Sequence, residues 1–176
     1  MATRAKHYFT PEQYLRMERQ APDGSPRHEY LAGEVFAMSG ASFAHNRITA
    51  NIVHALATAL TGRDCDVLSS DMRVHIEATA MYTYPDVVVV CGEPVFTDEG
   101  TPDTLTNPVA LFEVLSSSTR SYLPGRKVLA LPTPPTLRDY VLVSQDAAHA
   151  DISNTWYART MPPSPSMSRQ ERQTPV

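Results

Sequence analysis

Tyr84-Pro85-Asp86-Val87-Val88-Val89-Val90 is the stretch on which the fold turns. Four consecutive β-branched residues with no polar alternation predict a strand buried on both faces, and Pro85 marks where it begins. A carboxylate therefore stands at the head of a core strand. Phe112-Glu113-Val114-Leu115 is a second run of this kind, with its carboxylate near the tail. Carboxylates in such runs are costly to bury unpaired, so each should meet a cation, a hydrogen-bond donor or a metal. Oxygen ligands from two neighbouring strands suit Mg²⁺, which takes one or two protein carboxylates and fills its other positions with water and phosphate. That makes Asp86 and Glu113 a candidate phosphodiesterase site. A second reading fits the spacing equally: Asp86 caps the start of its strand after Pro85, and Glu113 pairs with an arginine.

Working outward, Cys65 to Leu68, Met72 to Ile76 and Tyr140 to Ser144 are further short apolar or alternating runs bounded by turn residues. Residues 28–38 alternate as two strands turned at Ala32-Gly33. Ile48, Ile52, Leu56 and Leu60 recur at helical spacing, with Ala55 and Ala59 widening the stripe, so a helix is predicted from about Phe43 to Leu60, stopped by Gly62. Nearer the N-terminus, Thr10-Pro11-Glu12-Gln13 predicts a helix start: Thr10 as N-cap, Pro11 in the first turn and Gln13 completing a capping box. The predicted class is α/β (α+β), a mixed central sheet flanked by helices. No internal repeat is visible.

At 176 residues and 42% hydrophobic content, one domain with one core is expected. No run of about 18 apolar residues is present and the N-terminus has no apolar signal region, so neither a membrane span nor a secretory leader is expected. The expected location is the cytoplasm. Cys65 and Cys91 form no finger pattern or disulfide framework and are read as free packing thiols, which suit a reducing compartment. The net charge of −4 argues against a nucleic-acid partner on bulk charge alone. A metal-dependent nuclease can still be acidic, because bound cations offset its site carboxylates and only a local strip need be basic.

The order and spacing of many short motifs carry a more specific signal. His28-Glu29-Tyr30, Gly33-Glu34-Val35-Phe36-Ala37-Met38-Ser39-Gly40, His45-Asn46-Arg47-Ile48, Ser70-Asp71-Met72-Arg73-Val74, Tyr82-Thr83-Tyr84-Pro85-Asp86-Val87, Asn107-Pro108-Val109, Glu113-Val114-Leu115-Ser116 and Leu137-Arg138-Asp139-Tyr140-Val141-Leu142-Val143 follow one another. Over residues 8–150 the chain resembles the putative restriction endonuclease family of the PD-(D/E)XK nuclease superfamily. The resemblance implies a restriction-endonuclease-like fold, with Asp86 in the metal-binding aspartate position and Glu113 in the acidic position of the last motif. Two residues after Glu113 stands Leu115, where the superfamily's simplest pattern has lysine. The family's lysine comes instead from the following helix, fourteen residues beyond the glutamate, where Lys127 stands. Its implied role is to stabilise charge on the phosphate or orient the attacking water. Glu34, His45 and Asp71 are assigned to the rim of the site, although a structural histidine satisfies the His45 pattern as well. Ser116, Ser117, Ser118 and Thr119 read as a helix cap, since no Gly-x-Ser-x-Gly elbow is present.

One segment departs from the family. Fifteen prolines exceed ordinary usage of about 5%, and eight lie within residues 123–135 and 162–176. Pro132, Pro134 and Pro135 would break the amphipathic helix R-G-E-K-F-x-x-Y-R-R-L that the family places here. Advancing the degenerate codons of residues 123–134 by one base permits Y-R-G-E-K-F-L-H-Y-R-R-L, and the written frame matches the family again from Pro135-Thr136-Leu137. Two compensating frameshifts account for this, and lysine is permitted at 127 in either frame. Residues 151–176 read as a degraded or disordered tail, polar and proline-rich.

The expected function is metal-dependent endonucleolytic hydrolysis of DNA, with Asp86 and Glu113 holding Mg²⁺ (or Mn²⁺), water as nucleophile and Lys127 supporting the phosphate. DNA is the expected partner, and a homodimer is expected by analogy with nucleases that cut duplexes. Two alternatives remain open: an impaired remnant of the fold that binds nucleic acid or a partner subunit, and a hydrolase of another, smaller phosphoester.

Overall fold

The computed structural model describes residues 8–98, 100–115, 135–145 and 156–157. Its first element is helix α1 (Pro11–Gln20), and its start is the predicted one. Thr10 Oγ1 accepts from Gln13 N at 3.3 Å, and Gln13 Oε1 accepts from Thr10 N at 2.8 Å, so two of the N–H groups that a helix start leaves unpaired are satisfied reciprocally. α1 buries Tyr14 against Tyr30 and Tyr82, with ring centroids 5.3 and 5.4 Å away. Strands β1 (His28–Leu31) and β2 (Glu34–Ala37) form the predicted hairpin. Its two turn residues, Ala32 and Gly33, both have positive φ (49° and 91°), the backbone twist that a two-residue hairpin requires. Gly33 is further constrained, because an added Cβ would lie 2.8 Å from the Tyr8 ring.

Helix α2 (Phe43–Ala59) follows, with Ser42 as N-cap accepting from His45 N at 3.1 Å. It packs on β3 (Cys65–Ser69), β6 (Val87–Cys91) and β9 (Ala110–Leu115). Its predicted stripe of Ile48, Ile52 and Leu56 is half-buried, and α2 buries no residue completely.

The remaining strands divide between two mixed sheets where the sequence predicts a single one. A six-stranded sheet has the order β2-β1-β5-β4-β8-β7, with β4 at Arg73–Ile76, β5 at Met81–Thr83, β7 at Phe96–Asp98 and β8 at Thr101–Leu105. A five-stranded sheet has the order β11-β10-β9-β6-β3, with β10 at Asp139–Ser144 and β11 at Trp156–Tyr157. The chain passes from one sheet to the other at Tyr84-Pro85-Asp86, between β5 and β6. Proline has no N–H for a ladder, so Pro85 ends the pairing of one strand before the next begins. The main core lies between the sheets: Val74, Ile76, Met81 and Leu105 from the first meet Val88, Val90 and Leu111 from the second, with Leu137 beside them.

Strands β5, β7 and β8 escape the sequence reading. No strand is predicted at Thr101-Pro102-Asp103-Thr104-Leu105, yet it pairs in parallel with β4 (Arg73↔Thr104) and buries Thr104 and Leu105 completely. Tertiary pairing outweighs local propensity here. The cysteines require a correction. Cys65 and Cys91 are register partners in the antiparallel β3–β6 pair and are joined by a disulfide. A separation of 26 residues carries no local signal for this pairing, which only the register creates. The thiol argument for a reducing compartment falls with it. Among the described residues no helix is long and apolar enough to cross a membrane. The serine cap at 116–119, the helix expected at 123–134 and Lys127 lie outside the described residues. Strand β11, antiparallel to β10, falls within the residues that the sequence reading assigns to the tail.

Candidate active site at the crossing between the sheets

The crossing at Tyr84-Pro85-Asp86 positions the carboxylate that the sequence singles out. The β6–β9 ladder pairs Val87 with Phe112, Asp86 stands at the bend just before β6, and Glu113 stands in β9 one residue beyond Phe112. Asp86 and Glu113 are both buried, at 8% and 5% exposure. Where the register would bring Pro85 opposite Val114, the Asp86 carboxylate takes the Val114 N–H through Oδ2 at 2.6 Å. Proline thus interrupts the ladder and a side chain receives the amide instead.

The second Asp86 oxygen is also engaged. His45 Nε2 lies 2.9 Å from Asp86 Oδ1, reaching from the first turn of α2. Of the three rim candidates, His45 is the one that the structure joins to Asp86. Tyr140, on the other side of β9, has its hydroxyl 3.5 Å from Glu113 Oε1. Asp71 lies on the surface with 84% of its side chain exposed, 3.9 Å from the Arg27 guanidinium. Glu34 opens β2 in the six-stranded sheet, half-buried and across from Leu31. Glu29 accepts from the hydroxyl of Thr83, the last residue of β5, at 2.5 Å.

The sequence reading passes over two further groups. Gln145, just beyond the end of β10, has its amide 3.4 Å from His45 Nδ1 and 3.1 Å from the Ser42 hydroxyl. No local signal marks it, because its place beside the Glu113 strand is set by the parallel pairing of β10 with β9. Behind the crossing runs a buried polar chain. Tyr84 donates to Glu18 at 2.9 Å, and Glu18 lies 2.8 Å from His28 Nδ1. Arg73 donates to the Tyr84 hydroxyl at 3.0 Å and to Thr104 at 2.8 Å, and pairs with Asp103 at 2.7 Å. Burial by itself would raise the Asp103 pKa, but hydrogen bonds from Arg19 and Thr104 and the Arg73 charge outweigh this and hold the carboxyl well below the usual range. This chain anchors the residue just before Pro85 to α1 and to the far sheet.

These features define an α+β chain of restriction-endonuclease-like fold with two buried acidic residues, Asp86 and Glu113, near a crossing between its sheets. Residues 11–156 match the family described as "Putative restriction endonuclease", and the chain belongs to that family. Two uncharacterized proteins of Synechocystis sp. are related to it: one is 37% identical over 78% of this chain and 75% of its own length, the other 36% identical over 82% and 73%. The fold is similar to the crystal structure of a putative nuclease belonging to DUF820 from Anabaena variabilis, with a TM-score of 0.62 at 18% identity, covering 77% of this chain and 74% of that one.

Proposed function

We propose that the chain is a metal-dependent endonuclease that hydrolyses DNA phosphodiester bonds. The observation that supports this reading is the Asp86 carboxylate, buried and held by the Val114 N–H immediately beside Glu113, which is itself buried in β9. The donor chemistry suits the group, since a hard divalent cation takes one or two protein carboxylates and fills its other positions with water and phosphate, while among the described residues no three His, Cys, Asp or Glu side chains gather into a fuller ligand set. Asp86 and Glu113 would hold Mg²⁺ or Mn²⁺, which when bound would supply positive charge to the phosphate and acidify water. The chain's own contribution is placement. Val114 N–H and His45 fix the Asp86 carboxylate before any ligand arrives, so little reorganisation is left for the reaction. Lys127 is proposed to stabilise phosphate charge, and two copies of the chain are proposed to act together on duplex DNA.

The test is nicking of supercoiled plasmid in Mg²⁺ or Mn²⁺, with and without chelator, by the wild-type chain and by Asp86→Ala. Nicking that needs the metal and disappears in the folded variant is expected. Unchanged nicking by Asp86→Ala overturns the assignment. A second reading, an impaired remnant that binds nucleic acid without cutting it, draws on Pro132, Pro134 and Pro135, which oppose a helix around Lys127. Metal-independent DNA binding with no cleavage would favour it.

A further inference from the structure

We propose that Gln145 and His45 form a relay that positions the Asp86 carboxylate, with Gln145 fixing His45 as the Nε2–H tautomer. The role rests on the reading of Asp86 as a metal ligand, whereas the relay itself rests on geometry. Ser42 Oγ accepts from His45 N at 3.1 Å, which pins the first turn of α2. The Ser42 hydroxyl proton goes to Gln145 Oε1 at 3.1 Å. With Oε1 accepting there, the amide presents Nε2 to His45 Nδ1, 3.4 Å away. A ring nitrogen that faces an N–H donor must offer its lone pair, so the imidazole proton belongs on Nε2. That nitrogen is the one 2.9 Å from Asp86 Oδ1.

Asp86 therefore receives two N–H groups on different oxygens, His45 on Oδ1 and Val114 on Oδ2 at 2.6 Å. Together they set both the rotation and the tilt of the carboxylate plane, and each oxygen keeps a further lone pair for a ligand. Capping α2 needs only the Ser42 contact. The additional bonds from Ser42 through Gln145 and His45 to Asp86 join residues 41 and 100 positions apart, and they converge on one carboxylate. Groups that hold a ligating side chain in this way typically change metal affinity or activity by about 10–100-fold when removed. Gln145 and His45 are positioning residues in this scheme, since neither needs to touch the substrate.

The experiment uses the full chain with ¹⁵N-labelled histidine, and His45→Ala identifies the His45 signals among the six histidines. Long-range ¹H–¹⁵N correlation should show His45 as the Nε2–H tautomer in the wild type and as a mixture of tautomers in Gln145→Leu. An Nδ1–H ring in the wild type, or an unchanged ring in Gln145→Leu, overturns the relay. Titration with Mn²⁺ alone should show an affinity about tenfold weaker in Gln145→Leu and in His45→Ala, with no further loss in the double variant, because the two residues act in series. Additive losses, or full affinity in Gln145→Leu, overturn the positioning role. Absence of Mn²⁺ binding by the wild type overturns the metal reading of Asp86 and the positioning role with it, while the tautomer spectra still decide the relay.

Discussion

Glu113 sits in the middle of a strand that is otherwise apolar, beside Leu142 of β10 and one residue before Val114, whose N–H the Asp86 carboxylate takes. Replacing it with its neutral isostere removes the proposed ligand charge with little change of shape. Glu113→Gln is therefore expected to remain folded while losing Mg²⁺-dependent nicking by at least about a hundredfold. Calorimetry adds an independent check: saturating Mn²⁺ should raise the midpoint of the wild type through ligand linkage and leave that of Glu113→Gln unmoved. A second residue-scale expectation concerns pH. The folded Asp103 carboxyl is held below its ordinary value of 3.8 by Arg19, Thr104 and Arg73. Because the folded pKa is depressed, its stabilisation is present above that ordinary value and is lost as pH falls through the folded one. Asp103→Asn should thus lower the midpoint at pH 7, and the difference from wild type should shrink steadily below about pH 4. A difference that stays constant down to pH 2 would show that the pairing with Arg73 and Arg19 contributes no net charge stabilisation. At this scale the sequence names Asp86 and Glu113 from their unusual setting in apolar runs, but it does not name Gln145, an ordinary polar residue whose partner lies 100 positions away.

Among the elements, α1 was fully legible because its signals are local. Thr10, Pro11 and Gln13 specify the cap within four residues, and Thr10→Ala should lower stability by about 1 kcal/mol in denaturant titration. α2 was legible from its period, and its cap at Ser42 coincides with the turn that brings His45 to Asp86. The segment 123–134 is the element where sequence and family disagree. Each proline forced into a helix interior costs about 3 kcal/mol. A variant carrying Y-R-G-E-K-F-L-H-Y-R-R-L at 123–134 should show more helix by circular dichroism and faster Mg²⁺-dependent nicking than the written chain, since small misplacements of a catalytic group cost on the order of a hundredfold. Equal activity and equal helix content in the two chains would remove the frameshift account.

For the whole molecule, the disulfide ties edge strand β3 to β6, whose other end leads into Asp86. Closing a loop of this length stabilises by about 3 kcal/mol in the chain-entropy view, so reduction, or Cys65→Ser with Cys91→Ser, should lower the midpoint by several degrees. Deleting the residues after Pro162 should scarcely move it. The sequence by itself determined the mixed α+β class, the cap of α1, the hairpin at Ala32-Gly33, the period of α2 and the two carboxylates in buried strands. Each of these is written in contiguous residues, through turn chemistry, periodicity or the cost of burying charge. Only the tertiary structure decided that the strands form two sheets, that Pro85 marks one of the crossings between them, that Cys65 meets Cys91 and that Ser42 and Gln145 connect through His45 to Asp86. Those outcomes depend on strand register and on packing between distant segments, and neither leaves a local pattern in the order of the residues.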